Sequence, residues 1–106
     1  MADYTIMLIC AAGMSTSLLV SKMEASAKDK GLDAEIFAVS AGEADSYVES
    51  KSPDVLLLGP QVRFLKGQFE TKLADKGIAV DVINMQDYGM MKGENVLNTA
   101  LELINK

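Results

Sequence analysis

The only cysteine in the chain, Cys10, ends a nearly all-apolar run and opens the sequence Cys-Ala-Ala-Gly-Met-Ser-Thr-Ser over residues 10–17. A helix-period segment follows at once. Backbone N–H groups at such a strand-to-helix junction lack intrahelical partners and sit at the positive end of the helix dipole. A junction of this kind binds a tetrahedral oxyanion. Ala11, Ala12 and Gly13 are small enough for the backbone to curl closely around one, with Met14 completing the loop. Ser15, Thr16 and Ser17 offer hydroxyls, to the anion or to the helix as caps. Charge placement agrees: from Tyr4 to Met23 there is no acidic residue, and Lys22 is the only charge. The same surroundings favour the thiolate of Cys10, which is a nucleophile. By residue type alone two readings stand side by side. One is a nucleophile backed by an anion cradle; the other is a small buried hydrophobe followed by an ordinary helix cap.

Composition narrows the chemistry. The chain has no histidine, which removes Ser-His-Asp and Cys-His catalysis and His-ligated metal sites. A single cysteine makes neither an internal disulfide nor a Cys₄ zinc site, so no metal and no cofactor is implied. Ten basic against fifteen acidic residues give a net charge of −5, which argues against nucleic acid or an anionic membrane as partner. No apolar run approaches the ~18 residues of a membrane span. The segment Met1 to Cys10 lacks the basic start and long apolar stretch of a signal peptide. A soluble cytoplasmic protein with no direct membrane insertion is expected.

The elements that would position Cys10 are legible as alternating patterns. Tyr4 to Cys10 is a strand buried on both faces, hence part of a parallel sheet. Thr16 to Lys30 is an amphipathic helix with Leu19, Met23 and Ala27 inward and Gly31 as its stop. Ala34 to Val39 is a second strand, Gly42 to Ser50 a short helix and Val55 to Leu58 a third strand. A helix beginning at Pro60 carries the stripe Val62, Leu65, Phe69 and Leu73 and stops at Gly77. Ile78 to Ile83 is a fourth strand, residues 84–93 a loop or single turn, and Glu94 to Lys106 a last helix with Val96, Leu97, Ala100, Leu101 and Ile104 inward. The order βαβαβαβα over 106 residues predicts one domain, residues 1–106. Size scaling gives roughly 5,800 Å² of folded surface, so about 65% of the unfolded surface is buried and a core forms without staples. The expected fold is α/β, a three-layer αβα sandwich on a small doubly wound four-stranded parallel sheet of order 2-1-3-4, like the low-molecular-weight phosphatase and Rossmann-like folds. Sites in such sheets lie beyond the carboxyl ends of the strands, at the switch point. Cys10 is at such an end.

Spacing then separates two chemistries. Cys-x₅-Arg-Ser/Thr is the loop of low-molecular-weight tyrosine phosphatases; here Thr16 stands where that arginine would be, followed by Ser17. The segment Cys10 to Met23 resembles instead the active-site segment of the IIB components of the bacterial phosphoenolpyruvate-dependent sugar phosphotransferase system (PTS), lactose/cellobiose (chitobiose) class. Leu57-Leu58-Gly59-Pro60-Gln61 and Asp87-Tyr88-Gly89 resemble later segments of the same family, so the resemblance spans the chain. It implies a phosphoryl carrier: a lactose/cellobiose-type IIA protein gives phosphate from its own phosphohistidine to Cys10, held by Ala11, Ala12, Gly13, Met14, Ser15, Thr16 and Ser17. The phosphocysteine then passes it to a sugar on the membrane component IIC, of the cellobiose or chitobiose β-glucoside type. Three rivals remain: a cysteine phosphatase, with Asp87 its only candidate acid; a flavodoxin-like module, which wants more aromatics; and a receiver domain, which wants an aspartate where Leu58-Gly59 stands.

Other residues carry paired readings. Tyr88 either lies over the Cys10 loop or is a half-buried surface tyrosine. Asp81, mid-strand, reads as a hydrogen-bonded structural acid. Met14, Met90 and Met91 are either an adaptable docking surface or core filling.

Overall fold

Two five- and four-residue runs of side chains shut off from solvent form the spine of the molecule, and a computed structural model, which describes residues 3–10 and 16–105, shows how they are shut off. Strand β1 (Tyr4–Cys10) lies between β2 (Ala34–Ser40) and β3 (Val55–Leu58), and β4 (Ala79–Val82) pairs with β3. All pairings are parallel, with Ile6 opposite Ile36 on one side and Val55 on the other. The order β2-β1-β3-β4 is the one the sequence predicts. Strand side chains alternate between faces. Ile6, Leu8, Val55 and Leu57 therefore pack under helices α1 (Thr16–Asp29) and α5 (Gly93–Ile104), while Met7, Ile9, Leu56 and Leu58 pack under α2 (Ala44–Lys51) and α3 (Lys66–Leu73). These are the three αβα layers.

The edges follow from composition. β4 is shorter than the run Ile78 to Ile83, and its residues are only part-buried because no strand among the described residues pairs with its outer side. Asp81 is tolerated there: its carboxylate accepts from the Val82 N–H at 2.8 Å and meets Lys66 at 3.6 Å, the structural role expected of it. Helix α1 ends as the sequence demands. Gly31 takes φ +71°, and the N–H groups of Gly31 and Leu32 bond to Lys28 and Ala27 carbonyls. This is the paired closure that a left-handed glycine permits.

Two expectations are corrected. Pro60 does not open a continuous α-helix. Residues Pro60–Leu65 form 3₁₀ turns broken at Val62, with Val62 N–H bonding to the Gly59 carbonyl, and α3 begins only at Lys66. The tighter i→i+3 winding keeps Val62 buried at the strand end while turning Phe64 outward. Gly93 is not the end of a loop but the first residue of α5. It is also a point where two helices pass closely: a Cβ there would lie 2.6 Å from the Lys22 carbonyl carbon and 2.7 Å from Met23 N.

That approach gives a stability prediction. Alanine is the better helix former by about 1 kcal/mol in a helix interior and by less at a first position. Overpacking costs about 1–3 kcal/mol, and here the obstacle is backbone, which no rotamer change relieves. Gly93→Ala should therefore destabilise, lowering the thermal midpoint by roughly 4–8 °C for each kcal/mol lost. Circular dichroism melts check this; an unchanged or raised midpoint would contradict the close-packing account.

Candidate functional site

Three strand ends converge at one edge of the sheet. Cys10 is the last residue of central β1, where the residue is 3% exposed and its S–H points to the Val39 carbonyl at 3.9 Å, a weak contact. β1 connects to β2 on one side, while the chain returns to β3 on the other, so the switch crevice opens between β1 and β3. Gly59 ends β3 and ties to β1 through its N–H on the Ile9 carbonyl at 2.8 Å. A Cβ on Gly59 would come 3.0 Å from Gln61 Oε1 and 3.4 Å from the Ile9 carbonyl oxygen, so this glycine lets the two strand ends meet.

Helix α1 begins at Thr16 with no acidic residue in its first turn. Thr16 is 1% exposed and is the buried polar side chain among the described residues. Its hydroxyl lies 3.4 Å from that of Tyr88. Ser17 and Leu18 are exposed in the same turn. Of the phosphate-loop residues expected from the sequence, Ala11, Ala12, Gly13, Met14 and Ser15 lie outside the described residues; Thr16 and Ser17 are the first two residues of α1.

The segment after β4 holds Tyr88 in place. The Asn84 side chain accepts from the N–H groups of Gln86 and Asp87 at 2.9 and 3.1 Å. That cap starts a single helical turn, α4 (Met85–Gly89), and turns Tyr88 inward to 8% exposure. Tyr88 is not a half-buried surface tyrosine: the ring is buried, passes beside Gly59 and reaches Thr16, while residues 11–15 of the Cys10 loop lie outside the described residues. Asp87, one residue earlier, is engaged elsewhere, accepting from Asn95 Nδ2 of α5 at 3.1 Å.

Around this edge the surface is apolar. The large hydrophobic side chains that stand well out of the fold are Phe64 (76% exposed), Met90 (67%), Met85 (61%) and Leu18 (53%). Every one follows the carboxyl end of a strand or opens α1. Phe64 and Met85 line an open groove of about 580 Å³ with Tyr88 and Arg63. A hollow of similar size, about 600 Å³, lies at the opposite end of the sheet against Pro53 and Ile78. Of the methionines read as docking surface or core filling, Met90 stands exposed. Met91, at φ +55°, is half-buried and packs on the core, and Met14 lies outside the described residues. Sequence reading missed Phe64 and Leu18, whose outward direction follows from winding and helix phase.

Comparison with known proteins decides what such an edge belongs to. Residues 5–99 match the family model "PTS system, Lactose/Cellobiose specific IIB subunit". The chain belongs to this family. Among characterised relatives, the cellobiose-specific EIIB component of Lactococcus lactis subsp. lactis (strain IL1403) is 56% identical, covering 99% of this chain and all of the relative. The galactose-specific EIIB component of Lactococcus lactis subsp. cremoris (strain MG1363) is also 56% identical over the same shares. The oligo-beta-mannoside-specific EIIB component of Bacillus subtilis (strain 168) is 41% identical over 93% of this chain and 94% of its own. Among solved structures, the cellobiose-specific IIB component from Borrelia burgdorferi superposes with a TM-score of 0.78 at 43% identity, covering 96% of this chain and 92% of the other. The lactose-specific IIB domain of Streptococcus pneumoniae gives 0.80 at 18% identity over 94% and 96%, a likeness of fold.

IIB components are phosphotransferases, and this IIB protein is a phosphoryl carrier of the sugar phosphotransferase system, the role its sequence resemblance implies. The family works with IIA and membrane IIC partners. No helix among the described residues is long and apolar enough to cross a membrane.

Proposed function

We propose that Cys10 is the phosphorylated residue and that it takes its phosphoryl group from the phosphohistidine of a lactose/cellobiose-type IIA protein in the cytoplasm. The position of the chain's only thiol, at the carboxyl end of the central strand and beside an acid-free helix start, carries the reading. A sulfur lone pair forms the S–P bond as the P–N bond of the partner breaks. Its electron pair returns to the imidazole, which takes up the proton the thiol has lost. A phosphorylated sulfur has no proton for the Val39 carbonyl, so that weak contact ends on loading. Residues 11–17 hold the phosphoryl group, mainly by backbone amides, since Ala11 to Ser21 contains no Arg or Lys. Phosphocysteine then delivers it to a sugar held by IIC. The two relatives at 56% identity are named for different sugars, cellobiose and galactose, which fits a sugar chosen by the membrane component. A β-glucoside of the cellobiose or chitobiose type is the acceptor we propose.

The test is intact mass spectrometry after incubation with phosphoenolpyruvate, the general phosphotransferase proteins and a lactose/cellobiose-type IIA. One phosphoryl group on Cys10 is expected; phosphate on a serine, threonine or aspartate would overturn the assignment.

The apolar rim supplies the docking face for IIA. Exposed apolar groups gathered at one edge mark an interaction site, and an aromatic anchor at an interface contributes about 1–2 kcal/mol or more. Phe64→Ser should raise the KM for phosphorylated IIA by roughly five- to thirtyfold. Stability should hold within about 0.5 kcal/mol, as for other surface changes. Transfer kinetics measured against IIA concentration check it, and an unchanged KM would exclude Phe64 from the interface.

A further inference from the structure

We infer that Tyr88 is a positioning residue for phosphoryl transfer: its hydroxyl orients the Thr16 hydroxyl so that Thr16 donates a hydrogen bond to the phosphoryl group on Cys10. The inference rests on the assignment of Cys10 above. Four observations lead to it. The two hydroxyls lie 3.4 Å apart, both on buried residues. Tyr88 is brought there from 72 residues away by a dedicated capped turn. The ring edge lies at the strand ends: its Cε2 is 3.8 Å from where a Cβ on Gly59 would stand, and Gly59 N–H bonds to the carbonyl of Ile9, the residue before Cys10. And packing alone would need only the ring, which phenylalanine supplies without a hydroxyl to satisfy.

The direction of the bond follows from the ligand. Phosphoryl oxygens accept hydrogen bonds and do not donate them. For Thr16 to donate to them, its oxygen must be free to accept, and a hydroxyl carries one proton and two lone pairs. The Tyr88 O–H fills that acceptor and turns the Thr16 proton away from Tyr88. At 3.4 Å the contact is longer than the usual ~2.7–2.8 Å between hydroxyls. Hydrogen bonds of this kind commonly tighten once the reacting group is bound. Thr16 also stands where a cysteine phosphatase has its arginine, so a neutral donor with a fixed direction replaces a charged clamp.

The experiment compares wild type with Tyr88→Phe, Thr16→Val, Thr16→Ser and the double variant Tyr88→Phe/Thr16→Val. Two measurements are made on each: single-turnover transfer from phosphorylated IIA, and the ³¹P titration of the phosphocysteine. Losing a donor aimed at developing charge costs about 10²–10³-fold. Thr16→Val should approach that loss, and Tyr88→Phe, which only misdirects the donor, should slow the maximal rate about tenfold with KM for IIA unchanged. Both should raise the titration midpoint of the phosphoryl group, because a hydrogen bond to its dianion is gone. Thr16→Ser should keep wild-type values. The double variant should match Thr16→Val alone, since Tyr88 acts through Thr16. A Tyr88→Phe protein with wild-type rate and midpoint would overturn the inference, as would additive losses in the double variant. If Tyr88→Phe does not fold, equal behaviour of Thr16→Val and Thr16→Ser overturns it instead. Wild-type phosphate found away from Cys10 defeats the Cys10 assignment, and the inference with it.

Discussion

Cys10→Ser should fold, bind IIA and transfer no phosphate. The fold should survive because the change is nearly isosteric and the buried thiol makes only a weak contact, 3.9 Å from the Val39 carbonyl. Chemistry is lost for two reasons. A thiol keeps a few per cent of its population as an intrinsically strong nucleophile near neutral pH, whereas a serine hydroxyl must be activated by an adjacent base. Histidine, the usual base, is absent from the whole chain. Positioned general bases contribute about 10²–10⁴-fold, so a serine without one should fall at least about 10⁴-fold below the thiol once its weaker nucleophilicity is added. Sugar phosphorylation by the reconstituted system should drop to background while the thermal midpoint stays within a few degrees. Sustained sugar phosphorylation by Cys10→Ser would exclude Cys10 as the carrier.

How much of this was legible beforehand depends on the range of the interaction. The continuous apolar runs at Ile6 to Cys10 and Val55 to Leu58 announce strands buried on both faces, and those two strands are the centre of the sheet. Leu19, Met23 and Ala27 announce the buried stripe of α1; Thr16, also on that stripe, reads from sequence only as a cap or ligand. Gly31 announces its own left-handed closure. Local pattern and local chemistry agree at each of these places. What sequence pattern does not carry is contact between distant segments. Nothing in Asp87-Tyr88-Gly89 says that the Tyr88 hydroxyl meets Thr16, and nothing at Gly93 says that α1 crosses it at backbone distance. The 3₁₀ winding of Pro60–Leu65 was equally hidden. The spacing Val62, Leu65, Phe69 suits either helix, and only the i→i+3 bonds distinguish them. That winding is what sends Phe64 to the surface. The candidate site was thus readable as a thiol at a strand end and the loop after it, while the Tyr88–Thr16 contact and the apolar rim were not.

The phosphocysteine, once formed, should outlast the transfer step by a wide margin, which sets a carrier apart from the phosphatases whose loop spacing it shares. Hydrolysis of a thiophosphate needs charge stabilisation in the transition state and a group to move a proton to or from water. A cysteine phosphatase draws these from an arginine clamp and a free acid, and among the described residues neither stands at the end of β1. Thr16 takes the arginine's place, so one neutral hydroxyl stands where a phosphatase has a charged, two-pronged clamp. The chain's single arginine, Arg63, lies in the 3₁₀ segment after β3, exposed at the groove with Phe64. Asp87, the candidate acid, is bound to Asn95. Each missing contribution accounts for about 10²–10⁴-fold, so two acting independently leave hydrolysis slower by roughly 10⁴-fold or more than in a cysteine phosphatase. On the carrier reading, transfer to sugar escapes this limit through proximity, since an acceptor hydroxyl held against the phosphocysteine replaces a water that has to be recruited. Isolated phosphoprotein should therefore decay slowly alone and rapidly when membranes bearing IIC and a β-linked disaccharide are added. Rapid decay without acceptor, or brisk turnover of para-nitrophenyl phosphate by this chain alone, would show that the site supplies the missing contributions after all and that water, rather than a sugar hydroxyl, is its natural acceptor.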